Sequence, residues 1–478
     1  MPVSTSYLPD PRHDRLGAEF FDPVAPADFP QTILRFRNDR WAARVGLETL
    51  SDAEWISHFG RFEPLPGNFP RPLALRYHGH QFRSYNPDLG DGRGFLFAQM
   101  RDAKDGRLLD LGTKGSGKTP WSRTADGRLT LKGGVREILA TEMLEAQGVY
   151  TSKTFSLIET GEALVRGDEP SPTRSSVMVR LSHGHVRIGT FQRLSALDKQ
   201  DDLKRLVDYC IEQYWPQARE AADPVAAFFA LAVGAIADMA ADWWVAGFVH
   251  GVLNTDNTTI TGESFDYGPW RFLPTLDPNF TAAYFDHSGL YAFGRQAGAL
   301  FWNCERLAGC LLDLSSQTAL VDGLNQFQTR FWSRLALRTH AKLALAPSGE
   351  DADRELVQGF YDALHKTGVP YERAFFDLVG GARANRVAAS PHRDVYGAPE
   401  WVPIVERLRA ARPAPGADRA LSHAYLQRGA PSTLLIEEVE ALWADIANRD
   451  DWSGLHEKIE EIRLAGDCYT GLASVSAD

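Results

Sequence analysis

The sequence predicts an α+β fold of two lobes around a cleft, a smaller β-rich lobe followed by a larger helical one. Three observations carry this. Between about 90 and 190, short apolar segments are broken by glycine turns. After about 195, apolar residues recur with the helical period. An Asn/Asp-rich stretch, residues 250–269 (HGVLNTDNTTITGESFDYGP), sits between two of those helices.

In chain order, residues 1–70 are rich in Pro, Asp and Phe and read as an irregular extension that wraps the core. Residues 71–195 form the smaller lobe. Within it, Gly94–Met100 and Arg107–Leu111 flank Lys104-Asp105-Gly106, a hairpin signal. Val135, Ile138, Leu139 and Met143 define one helical face, and Ser176–Leu181 and Val186–Phe191 read as strands. Residues 196–478 form the larger lobe, with helices over 202–215, 225–248, 296–314 and 320–345, a loop at 412–416, and one or two helices after Ser432.

Composition narrows the function. A 44% apolar chain of 478 residues with 26 Phe and 12 Trp can build a real core. Its net charge of −11 argues against a general nucleic-acid binder but permits a local basic pocket. Four cysteines without a C-x-x-C pair argue for thiols in a reducing compartment. There is no apolar leader, and the longest apolar run, Val225–Ala237, is too short to cross a bilayer. The expectation is a soluble, cytoplasmic, monomeric protein with no membrane partner.

Gly112–Thr119 (GTKGSGKT) satisfies the phosphate-loop pattern G-x-x-x-x-G-K-T. Pro120 follows at once, and the turn Asp126-Gly127 leaves no room for the required helix, so the match is rejected. Three other pieces suit phosphate. Gly90, Gly92 and Gly94 in LGDGRG let backbone N–H groups approach an anion. Lys114, ending a strand, and Glu137, on the next helix, form the pair with which kinases place an ammonium on phosphates. Arg123, Arg128, Arg180 and Arg187 form an arginine cluster. Arg180 and Arg187 lie on half-buried segments where an anion would offset burial, and Arg128 is better read as a salt bridge.

The segment 250–269 has kinase-loop spacing. Asn257 and Asp266 are a pair of hard oxygen ligands suited to Mg²⁺ or Mn²⁺, brought together by a tight hairpin at Gly262-Glu263-Ser264. The kinase base position holds Val252, which cannot take a proton, and Asp256 is the nearby carboxylate. His250 is expected to orient the loop. Asp277, Asp286 and His287 are loop residues. These residues predict a nucleotide, a metal and a hydroxyl acceptor, and do not separate phosphoryl from nucleotidyl transfer.

Ordered strings then resemble one family, selenoprotein O, called YdiU in bacteria: YHGHQF (77–82), LGDGR (89–93), DLGTKGSGKTPWSR (110–123), DGR (126–128), VREILATE (135–142), HGVLNTDN (250–257), FDYGP (265–269), YAFGRQ (291–296) and WNCERLA (302–308). The resemblance implies a protein-kinase-like fold that binds ATP inverted and transfers AMP to Ser, Thr or Tyr hydroxyls of proteins. By that resemblance Gly90, Gly92, Arg93, Lys114, Asp126, Gly127, Arg180 and Arg187 contact the nucleotide and Glu137 holds Lys114. Asp256 accepts the proton, and Asn257 and Asp266 bind Mg²⁺ or Mn²⁺. UMP transfer with Mn²⁺, an atypical kinase and a non-catalytic ATP-binding scaffold are the alternatives. The chain departs from the family at Lys118, where a proline is usual. It also ends ASVSAD, with no thiol beyond Cys468, so redox control through a C-terminal thiol is not expected. The match weakens beyond about 390.

Overall fold

The computed structural model describes residues 3–167 and 169–473. An antiparallel sheet runs in spatial order Phe21–Pro23, Leu73–Leu75, Leu96–Arg101, Leu108–Lys114, Thr173–Ser182, Lys153–Leu164 and Ile33–Arg37, with Leu129–Thr130 also pairing onto Thr173–Ser182. The hairpin expected at 104–106 forms, with Arg101 opposite Leu108.

Alternation along the strands sorts the side chains onto two faces. Val177, Val179 and Leu181 join Leu109, Leu111, Trp55 and Phe59 in one apolar cluster. Met178 joins the opposite cluster, with Val135 and Ile138 of the helix Leu131–Ala146. Lys114 faces Met178 across the ladder, Gly112 faces Arg180 and Asp110 faces Ser182, so these polar residues share the face turned to that helix. Thr130 caps the helix by accepting from Gly133 N. Gly134 lets it lie close to the sheet, because a Cβ there would overlap Leu157. That close approach brings Glu137 to Lys114.

The N-terminal segment is more ordered than its composition suggests. It supplies both edge strands and the helices Asp39–Arg44 and Asp52–Gly60, and Trp55 Nε1 donates to Ser156 Oγ at 2.9 Å. The expected strand at 186–191 is instead the start of a helix, Ile188–Ala196, with Arg187 as its extended N-cap. A short apolar run does not distinguish a strand from a buried helix. Gly189 decides for close packing, since a Cβ there would overlap the His78 carbonyl. The strand Lys153–Leu164 had no counterpart in the sequence reading.

The later helices fall where periodicity put them: Gln200–Gln213, Pro224–Ala246, Gln296–Cys310, Gln317–Lys342, Ile436–Arg449 and Ser453–Ala473. Pro224–Ala246 is, by length and composition alone, long and apolar enough to cross a membrane. It packs along Gln317–Lys342, with Asp238 and Asp242 paired to Arg330 and Arg334 at 2.6 and 2.8 Å.

The turn at Gly262 is present (φ 67°), but its arms do not pair with each other. Ile188 N and Ile260 N bond Thr258 O and Val186 O, while Ser264 exchanges bonds with Tyr150 and Ser152. The arms thus satisfy their backbone groups on two neighbouring segments rather than as an isolated hairpin. In that turn Glu263 is buried and accepts from His183 N at 2.7 Å. Burial pushes its carboxyl from 4.5 up to about 7, against the pull of Lys153 and Arg107. Between those values the unfolded chain has lost this proton and the folded chain keeps it, so the group's contribution to stability is lost as pH rises through the window. Glu263→Gln keeps the acceptor for His183. Its stability relative to wild type is expected to improve by about 1–2 kcal/mol from pH 4.5 to pH 8. Denaturant unfolding at the two pH values checks this, and a pH-independent difference would contradict it.

Candidate active site

Where the sheet meets residues 250–269, a cleft of about 340 Å³ opens. Although the protein is acidic, Arg93, Lys114, Arg123, Arg180 and Arg187 all line it. Lys114 is buried at the end of its strand. Its Nζ pairs with Glu137 Oε1 and, at 2.9 Å, with Asp266 Oδ1. Arg180 Nη1 reaches the same Asp266 oxygen at 3.4 Å. Arg187 donates to Asp91 Oδ1 at 3.3 Å and lies 4.2 Å over the Tyr77 ring. Its Nε is buried with no hydrogen-bond partner among the described residues. Burial works against the Arg187 charge, but Tyr77, Asp91, Asp266 and Asp256 together hold its pKa above the ordinary range. A buried donor without an acceptor, beside other cations, is the surface an anion would complete.

The glycine loop has a packing reason as well. A Cβ on Gly90 would overlap the Trp121 ring, and one on Gly92 would lie 2.9 Å from the Trp121 carbonyl. Thr119 Oγ1 and Ser122 Oγ donate to the carbonyls of Asp91 and Gly92. Residues 119–122 therefore brace the loop from below. The rejected phosphate-loop match runs from the end of a strand into this brace: turns follow Thr119, the next helix starts at Leu131, and Lys118 is exposed. Asp126 and Gly127 do not line the cleft. Asp126 pairs with Arg166 at 2.8 Å, and Gly127, at φ 72°, packs against Gly117. Arg128 bridges to Glu162 at 2.8 Å, the salt bridge expected of it.

Asp256 and Asp266 both line the cleft; Asn257 does not. Asp256 is buried, and its Oδ1 has no hydrogen-bond partner among the described residues. Burial pushes its carboxyl up to about 6, with Arg187 opposing and Asp266 adding. Asp266 sits at φ 62°, a left-handed conformation that a non-glycine residue holds only when its surroundings impose it. Burial disfavours its charge, yet Lys114, Arg180, Arg187 and Arg93 hold its carboxyl well below the usual range. His250 ties the two ends of the segment together. Its Nε2 donates to the Phe265 carbonyl at 3.0 Å, and its Nδ1 accepts from Val252 N at 3.4 Å. That fixes a neutral imidazole, in keeping with the lowering of its pKa by burial.

Three features of the site are not legible in the sequence: the brace at Trp121, the partners Tyr77 and Asp91, and a small hairpin of Gly79–Gln81 with Ser84–Asn86. The hairpin holds the loop from above: His80 N donates to Thr255 Oγ1 at 2.7 Å and Phe82 N to Asn254 Oδ1 at 3.1 Å. The string YHGHQF was the one signal for it. Asp286 accepts from Leu290 N and Tyr291 N, as a loop residue would.

Among the described residues no group of three or more His, Cys, Asp or Glu forms a self-contained metal cage. The donor set fits a hard cation completed by phosphate and water. Asn257 is anchored through Nδ2 to the Val252 carbonyl at 3.1 Å, and its Oδ1 accepts no hydrogen bond among the described residues. Asp266 presents a partly exposed carboxylate, and Asp256 Oδ1 is orphaned.

A family model described as protein adenylyltransferase SelO matches residues 4–463. The chain belongs to the SelO family. Curated SelO relatives named "Protein nucleotidyltransferase YdiU" include those of Gloeobacter violaceus, 44% identical over 95% of this chain and 94% of the relative, and of Synechocystis, 42% identical over 95% and 97%. The Vibrio cholerae protein is 38% identical over 77% and 74%. The family match runs well past residue 390, where the motifs had thinned out. Membership makes the chain an enzyme of the nucleotidyltransferase class. In this SelO chain all four cysteines are buried, and burial pushes the Cys468 thiol up to about 11.

Because His250 satisfies one buried carbonyl and one buried N–H, His250→Ala is expected to cost about 2–4 kcal/mol in denaturant unfolding. An unchanged midpoint would show that the loop does not hang on this ring.

Proposed function

We propose that this chain is a protein adenylyltransferase of protein-kinase-like architecture. In this reading residues 1–70 are an extension, 71–195 the nucleotide-binding lobe and 196–478 the helical lobe that carries the catalytic loop. It transfers AMP from ATP to Ser, Thr or Tyr hydroxyls of proteins and releases pyrophosphate. One observation carries the reading. Among the carboxylates that share the cleft with Lys114, Arg180 and Arg187, Asp256 has a buried oxygen with no partner among the described residues, while the position a kinase would use holds Val252.

In this reading Arg180 and Arg187 take the terminal phosphates, so the nucleotide enters inverted relative to a kinase. Gly90, Gly92 and Arg93 close over it from the loop. Lys114, held between Glu137 and Asp266, neutralises charge on the phosphates. Asp126 and Gly127, though outside the cleft lining, reach the nucleotide only if their loop moves towards it. Asn257 and Asp266 would hold Mg²⁺ or Mn²⁺, which would supply further charge neutralisation at the phosphates. Asp256 Oδ1 accepts the proton of the acceptor hydroxyl as its oxygen attacks the α-phosphorus. A pKa near neutrality suits a base that must be free at cellular pH and still bind a proton in the transition state.

The test is incubation with ATP labelled at either the α or the γ position. Label on protein from α-labelled ATP alone is expected; label from γ-labelled ATP alone would establish a kinase instead. α-Labelled UTP with Mn²⁺ distinguishes UMP transfer, and binding without any transfer identifies a scaffold. Asp256→Asn is expected to lower transfer by about 10²–10⁴-fold while ATP binding stays within a few fold. Equal loss of binding and transfer would remove Asp256 from the role of base.

A further inference from the structure

Asp110, Gly112 and Lys114 alternate along Leu108–Lys114 and share the sheet face that carries Arg180. Gly112, opposite Arg180, leaves a slot, for a Cβ there would overlap His185 Nε2. His185 fills the slot and is 4% exposed. Its Nδ1 lies 3.1 Å from Asp110 Oδ2, and its Nε2 lies 3.3 Å from Arg180 Nε. An arginine Nε only donates, so His185 Nε2 is the acceptor and Nδ1–H donates to Asp110. The other Asp110 oxygen accepts from Gln99 Nε2 at 2.7 Å. Gln99, Asp110, His185 and Arg180 thus form one buried chain in which each linking donor meets an acceptor. It ends where Arg180 Nη1 meets Asp266.

We infer that His185 and Asp110 are positioning residues for nucleotidyl transfer: they hold Arg180 by its Nε, in one imidazole tautomer, so that its Nη nitrogens are delivered to the terminal phosphates of the nucleotide. The inference rests on the reading of Arg180 as a phosphate ligand. Burial, with Arg180 and Arg187 close by, lowers the pKa of His185 despite Asp110, in keeping with a neutral ring. An arginine carries several freely rotating bonds, and fixing its Nε removes much of the entropy that phosphate binding would otherwise cost. The arrangement parallels the carboxylate–imidazole pairs that set a histidine's tautomer elsewhere, with an arginine as the group being aimed.

The decisive variant is Asp110→Asn in the full chain. Its amide oxygen can still accept from Gln99. Its NH₂ then faces His185 Nδ1 and drives the ring proton to Nε2, where N–H would confront N–H at Arg180. Equilibrium titration is expected to show the ATP dissociation constant raised about tenfold and that of AMP changed by less than about twofold. His185→Phe, which keeps the bulk and removes the acceptor, should show the same loss for ATP against AMP. His185→Gln, whose Oε1 can accept from Arg180 Nε, should stay within about threefold of wild type for both. Arg180→Met separates the two claims. If Arg180→Met leaves the ATP-to-AMP ratio unchanged, the phosphate reading of Arg180 fails. If it raises the ratio while Asp110→Asn and His185→Phe do not, the positioning inference is overturned. Equal loss of AMP and ATP affinity in Asp110→Asn and His185→Phe also overturns it, in favour of a purely structural role.

Discussion

The ammonium of Lys114 is buried between a carboxylate from a helix, Glu137, and one from the segment 250–269, Asp266. An unpaired ammonium at that depth would cost several kcal/mol, so the strand end, the helix and the loop are obliged to meet there. The other features of the cleft follow from that meeting. The helix must lie close to the sheet, which Gly134 permits. Asp266 must turn back at a positive φ, which His250 enforces by bonding both ends of its segment. Asp266 also draws Arg180, so cations from two strands converge on one carboxylate oxygen.

That convergence leaves the cleft over-supplied with donors. Asp266 is claimed by both Lys114 and Arg180, and Arg187 has an Nε with no acceptor among the described residues. A polyphosphate would supply the missing acceptors, and a cation on Asp266 would release Lys114 and Arg180 towards it. Desolvation of these groups is already borne by the fold, so binding need not repeat it. Asp256 differs in having one carboxyl oxygen, Oδ1, with no donor among the described residues, as the proposed proton acceptor would before its substrate arrives.

Much of this was legible in the sequence because the chemistry is local. The hairpin at 104–106 and the major helices follow from periodicity and from residue types a few positions apart, and the pairing of Lys114 with Glu137 follows from a lysine ending a strand with a glutamate on the next helix, 23 residues on. The separation of Val252 from Asp256 is readable in the same way. What escaped depends on contacts between distant segments. Gly90 and Gly92 advertise a phosphate loop, yet their lack of side chains also makes room for Trp121, about thirty residues on. Residues 186–191 look like a strand because nothing local reveals that Gly189 must press against His78. The arms around Gly262 look like a hairpin because their true partners, near 150 and 186, are distant in the chain. His185 carries no motif; only the slot at Gly112 exposes it.

The central claim is the direction in which the nucleotide lies, because it sets which phosphorus meets Asp256. A crystal structure of the protein with Mg²⁺ and a non-hydrolysable ATP analogue tests it most directly. The expected result is the β- and γ-phosphates against Arg180 and Arg187, with the α-phosphorus nearest to Asp256. Adenine packed against Arg180 and Arg187, with the γ-phosphate towards Asp256, would contradict it.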